Sequence, residues 1–206
     1  FIGAADINGD GMHDHISKNN SGEYFVSRLN QHGPRNILTR VVNPLGGSTA
    51  ISYIFRSAGG NIPFPIATVN SVSTYDGMGS TVTLNYSFSG GLFDQYPIDK
   101  KEFLGFRTSI VIDVLGNKTI PTFRQNDGAV NDVNIYKGQV ENAETFDAAN
   151  NPLTRTVNMF SYATPFPGIY FPAVSRTDSY QLGVVGSQQT AVEYVYDAYG
   201  NVTQVL

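Results

Sequence analysis

The stretch STVTLNYSFSGG, residues 80–91, decides the fold class. Val82, Leu84, Tyr86 and Phe88 alternate with Thr81, Thr83, Asn85 and Ser87. A period of two sends successive side chains to opposite faces of a pleated ribbon, so this pattern predicts a strand with one half-buried apolar face. Gly90 and Gly91 then read as the turn that ends it. The same alternation groups Ile51, Tyr53 and Phe55 in STAISYIF, and Val192, Tyr194 and Tyr196 in TAVEYVYD. SIVIDV, residues 109–114, is apolar at four of its six positions and fits a strand covered on both faces. Helical spacing is scarce. PIDKKEFLGF, residues 97–106, is its best example and predicts one or two helical turns ending at Gly105.

Composition points the same way. Of 206 residues, 21 are Gly, 12 Tyr and 13 Phe, while charged residues make up only 15%. That balance favours strands joined by tight turns, and the expected fold is all-β, built of long antiparallel hairpins. With 13 Lys plus Arg against 17 Asp plus Glu, the net charge is -4 and the basic residues are scattered, which argues against a nucleic-acid partner. No apolar run reaches the ~18 residues of a membrane span. The absence of Cys excludes thiol nucleophiles and thiolate zinc sites. Phe1 in place of an initiator Met suggests a piece of a longer chain.

The turns repeat. Residues 113–119 and 197–203 share D-x-x-G-N-x-T, and weaker copies begin at Asn43, Asp76 and Asp147, so that successive copies are 33, 37, 34 and 50 residues apart. The pattern has a physical reason. A leading Asp or Asn accepts from the backbone N–H two residues on, and Gly or Asn three positions along takes the positive φ that closes a hairpin with a bulge. Asp76, Asp113, Asp147 and Asp197 are therefore expected to cap turns rather than to catalyse.

DINGDGMHD, residues 6–14, is a different cluster. With Asp6 as position 1, oxygen ligands fall at positions 1, 3, 5 and 9 as Asp6, Asn8, Asp10 and Asp14. Met12 at position 7 offers its carbonyl, and Gly11 supplies the sharp turn at position 6. A hard divalent cation takes six to eight oxygens, and alternate positions of a curled loop point inward, so the spacing predicts a calcium loop. Ser17 occupies position 12, where an EF-hand has a bidentate Glu, and no amphipathic helix flanks the loop. The expectation is a loop between strands, with an affinity of ~10⁻⁴ to 10⁻³ M. The bland alternative is an ion-free polar turn. His13 and His15 flank Asp14, but His32 is the only other His, too few for a zinc site.

No G-x-S-x-G elbow is present, and the three His crowd into residues 13–32. A paired-carboxylate hydrolase would need Asp94, Asp99 and Glu102 to converge. A binding module for glycans or a host surface is the stronger competitor, because TPFPGIYFPA, residues 164–173, offers Phe166, Tyr170 and Phe171 as a candidate exposed loop. The humbler reading is that these rings anchor the loop onto the sheet.

The turns also resemble a known family. YDAYGNVTQV resembles the YD repeat of Rhs proteins. NILTRVVNPLGGSTAISY, followed by LNYSFSGGLFDQYPIDKKEFLGFR, is similar to the segment before the Rhs repeats of Tc insecticidal toxin B components and SpvB-type virulence proteins. There Y-x-Y-x-x-G leads to E-F-x-G-F, matched here by Tyr86, Phe88 and Gly91 and then by Glu102, Phe103, Gly105 and Phe106. The resemblance implies an extended, curved sheet of the kind that spirals into a hollow shell around a toxic segment. It implies a non-enzymatic structural section of a secreted or cell-surface protein, partnered by other segments of the same protein or toxin complex. Residues 1–34 resemble the tail of an FG-GAP or VCBS-type calcium-loop unit, a remnant propeller-type strand pair. Residues 35–206 resemble the Rhs-like sheet. Phe146 departs from the repeat, where Tyr is usual.

Overall fold

The structure, a computed structural model, describes residues 3–5, 13–27, 37–56, 62–94, 101–125, 134–183 and 187–206, with backbone alone at 25–27 and 56. All its regular elements are strands. They are β1 (Gly3–Ala5), β2 (Asp14–Lys18), β3 (Tyr24–Ser27), β4 (Arg40–Val42), β5 (Ser48–Arg56), β6 (Ile66–Tyr75) and β7 (Thr81–Asp94). Then come β8 (Glu102–Ile112), β9 (Lys118–Phe123), β10 (Val140–Phe146), β11 (Pro152–Phe166), β12 (Ile169–Gln181), β13 (Gln188–Tyr196) and β14 (Val202–Val205). The all-β expectation holds. No helix among the described residues is long and apolar enough to cross a membrane.

The chain divides into two compact units, Phe1–Ser87 and Phe88–Leu206. In the first, β1, β2 and β3 form a small antiparallel sheet, with Ala5 opposite Asp14 and His15 opposite Ser27. The remaining strands, β4 to β14, belong to an eleven-stranded sheet whose spatial order is the chain order. It is a pure meander: each strand pairs with its sequence neighbours.

Alternation behaves as the residues dictate. In β5, Ile51, Tyr53 and Phe55 are half-buried and Ala50, Ser52 and Ile54 exposed. In β13, Val192, Tyr194 and Tyr196 turn inward. In β7, Leu84, Tyr86 and Phe88 are half-buried, while Val82, next to the hairpin end, is exposed. The other face carries cross-strand hydroxyl pairs: Ser52 with Ser71 at 2.6 Å, Ser73 with Thr83 at 2.8 Å and Thr145 with Thr154 at 2.6 Å. Such pairs contribute roughly 0.2–1 kcal/mol each, useful where apolar burial is thin. Burial is thin here. Leu104, at 2% exposure, is the one buried hydrophobic side chain among the described residues.

Two local expectations are corrected. Gly90 and Gly91 do not end a strand, since β7 runs through them to Asp94. Gly90 is a kink at φ 65°, where a Cβ would lie 2.6 Å from that of Arg107, so the glycine permits a close approach instead of a turn. Residues 102–106 are likewise strand, not helix. Gly105, at φ 83°, interrupts the period of two, so Phe103 and Phe106, three apart in sequence, meet edge to face at 5.7 Å. That bulge imitates helical spacing. Gln125, buried, donates to the carbonyls of Gly90 at 2.8 Å and Gly105 at 2.9 Å, which satisfies both irregular peptides.

Candidate functional site

The repeated turns are the best-formed local constellation. In each, the leading residue's Oδ1 accepts two backbone N–H groups, two and four residues on. For Asn43 these come from Leu45 and Gly47, both at 3.0 Å, and for Asp76 from Met78 at 2.7 Å and Ser80 at 3.1 Å. Asp113, Asp147 and Asp197 add a third bond: the Nδ2 of Asn117, Asn151 and Asn201 donates to their Oδ2 at 2.9, 2.8 and 2.9 Å. The fourth residue has positive φ throughout, at Gly46, Gly79, Gly116, Asn150 and Gly200. This is a three-residue hairpin loop closed by a bulge. The expected caps are therefore found in their expected role.

A sixth copy lies between β2 and β3. Asn19 Oδ1 accepts from Ser21 at 3.0 Å and Glu23 at 2.8 Å, and Gly22 has φ 87°. N-x-x-G was there to find in NNSG, but the following Glu hid it.

Electrostatics agree with the geometry. The carboxyls of Asp76, Asp113, Asp147 and Asp197 are all held below the usual carboxylate value. For Asp76 the backbone N–H of Met78 is the main cause; for the other three it is the side-chain amide of Asn117, Asn151 or Asn201. Such carboxylates have their lone pairs engaged and are poor bases. The middle residue of the loop points to solvent, with Leu45 92% and Met78 89% exposed.

Of the predicted calcium ligands, Asp6, Asn8, Asp10 and Met12 lie outside the described residues. Asp14 opens β2 and is 1% exposed. His13 is exposed and His15 half-buried, and among the described residues no three His, Cys, Asp or Glu gather as a metal site. Of the hydrolase candidates, Asp94 ends β7, Glu102 opens β8 and pairs with Lys137, and Asp99 lies outside the described residues. TPFPGIYFPA is a hairpin end and not a loop: β11 reaches Phe166, Pro167 and Gly168 turn, and β12 starts at Ile169. Phe166 and Phe171 stay exposed, while Tyr170 packs edge to face on Tyr162 at 5.8 Å.

Comparison with known proteins adds the family. The sequence profile of the insecticide toxin TcdB middle/N-terminal region matches residues 2–134. The chain belongs to this family. The TcdB-region chain is also similar in fold to the crystal structure of TcdB2-TccC3-Cdc42, with a TM-score of 0.63 and 15% identity over 86% of its length. It spans 12% of that much longer chain. No curated protein matches it.

Proposed function

We propose that this TcdB-region chain is a non-enzymatic wall section of a secreted Tc-type toxin component, scaffolding the enclosure and delivery of a toxic segment. One observation carries the reading: an eleven-stranded meander in which a single apolar side chain is fully buried among the described residues. A sheet that buries so little of its apolar face within itself suits a wall whose faces meet other segments of the same protein or complex. The D-x-x-G-N turns act as YD-repeat corners that keep successive hairpins in register.

The test is protection of a passenger. A C-terminal segment carried by the complete toxin component is exposed to protease with and without residues 40–206. Protection that is lost on deletion supports the wall; a passenger equally resistant without these strands overturns it.

Calcium belongs to this proposal at one end. Asp6, Asn8, Asp10, Met12 and Asp14 hold an ion that stiffens the loop leading into β2. Calorimetric titration of calcium into the wild type and Asp10→Ala is expected to show binding in the first only. Equal heats in both remove the metal.

A further inference from the structure

The β11–β12 hairpin end carries no charge. Between Arg155 and Arg176 the sequence runs through residues 156–175 without an Asp, Glu, Lys, Arg or His. Its neighbours stop short of it: among the described residues, β10 pairs with β11 as far as Val157, and β13 pairs with β12 as far as Arg176. Beyond those points the two strands pair with each other, from Phe160 with Val174 to Phe166 with Ile169. Pro167 and Gly168, the latter at φ 77°, close the ribbon. A Cβ added at Gly168 would meet nothing within 4 Å, so the apex stands in open space.

Both faces of this ribbon present rings. Tyr162 lies opposite Pro172 and packs on Tyr170, whereas Ala163 and Phe171, paired with each other, project to the other face. Tyr162 is 44% and Phe171 42% exposed, and at the apex Phe166 reaches 57% and Ile169 55%. A ribbon apolar on one face is covered by a groove in a protein. An uncharged ribbon with exposed rings on both faces needs surroundings that enclose its tip from every side, and the interface of a bilayer supplies them.

The order of side chains along the hairpin suits that depth. Phe166 and Ile169 lead, and the phenols of Tyr162 and Tyr170 follow, as amphipathic rings do where one end is apolar and the other wet. Pro165, Pro167 and Pro172 have no N–H, so the strand edges near the tip carry three fewer donors to strip of water. The net charge of -4, with no basic residue on the hairpin end, gives anionic headgroups nothing to attract and leaves zwitterionic lipid as the match.

We infer that the tip of the β11–β12 hairpin seats shallowly in the interface of a zwitterionic lipid bilayer, Phe166 and Ile169 entering first. This is a seat on a membrane and not a span, and it goes beyond the wall reading, which requires no lipid. The chain has no Trp, so Phe166→Trp places a single fluorescent reporter at the apex. On phosphatidylcholine vesicles its emission is expected to shift to the blue and to be quenched by lipids brominated high on the acyl chain. The wild type is expected to float with the vesicles in a density gradient. Ile169→Asp should weaken flotation at least ~10-fold with an unchanged circular dichroism spectrum. Leu115→Asp, at an exposed apolar residue of another turn, should float as the wild type does. The reporter reads the same seat independently of both variants. A wild type that stays at the bottom of the gradient, flotation with anionic vesicles alone, equal losses in Ile169→Asp and Leu115→Asp, or a reporter shifted by serum albumin but not by vesicles would each overturn the inference.

Discussion

At the scale of the residue, one carboxylate or amide oxygen organises each corner. Asn43 does with an uncharged side chain what Asp76 does with a charged one, so charge is not essential to the turn. Charge does set its response to acid. The Asp76 carboxyl is depressed in the fold, so its stabilisation is present above the ordinary carboxylate pKa and is lost as pH falls through the folded value. Asp76→Asn should fold at neutral pH with a melting temperature close to wild type. Between about pH 5 and pH 2 it should lose less stability than wild type, as thermal melts across that range will show. Identical acid profiles would mean that the carboxylate contributes nothing.

At the scale of the element, strands were legible where side chains alternate and turns where D-x-x-G-N recurs, because both signals are local. The alternation of Ile51, Tyr53 and Phe55 and that of Val192, Tyr194 and Tyr196 carried over directly. Gly90 and Gly105 misled, because a glycine at a bulge and a glycine at a turn look alike in sequence; what separates them is a partner 35 or 20 residues away, Gln125. Gln125 therefore makes an element-level prediction. Gln125→Leu leaves two kinked carbonyls without their donor and should cost about 2 kcal/mol in a urea unfolding titration. An unchanged midpoint would show that water replaces the amide freely.

At the scale of the molecule, the edge of the larger sheet formed by β14 carries Val202, Thr203, Gln204 and Val205, with no charge and all exposed. An uncharged edge of this kind templates pairing with another strand. The 206-residue chain should self-associate with rising concentration, and Val205→Lys should hold it monomeric in sedimentation velocity. A wild type that stays monomeric at high concentration would refute this.

The meander order has one more consequence. Since each strand of the larger sheet is bonded to those just before and after it in the chain, no strand must wait for a distant partner to be synthesised. Each hairpin leaving the ribosome meets an edge already displayed by the one before, so the nascent sheet can lengthen at the pace of translation.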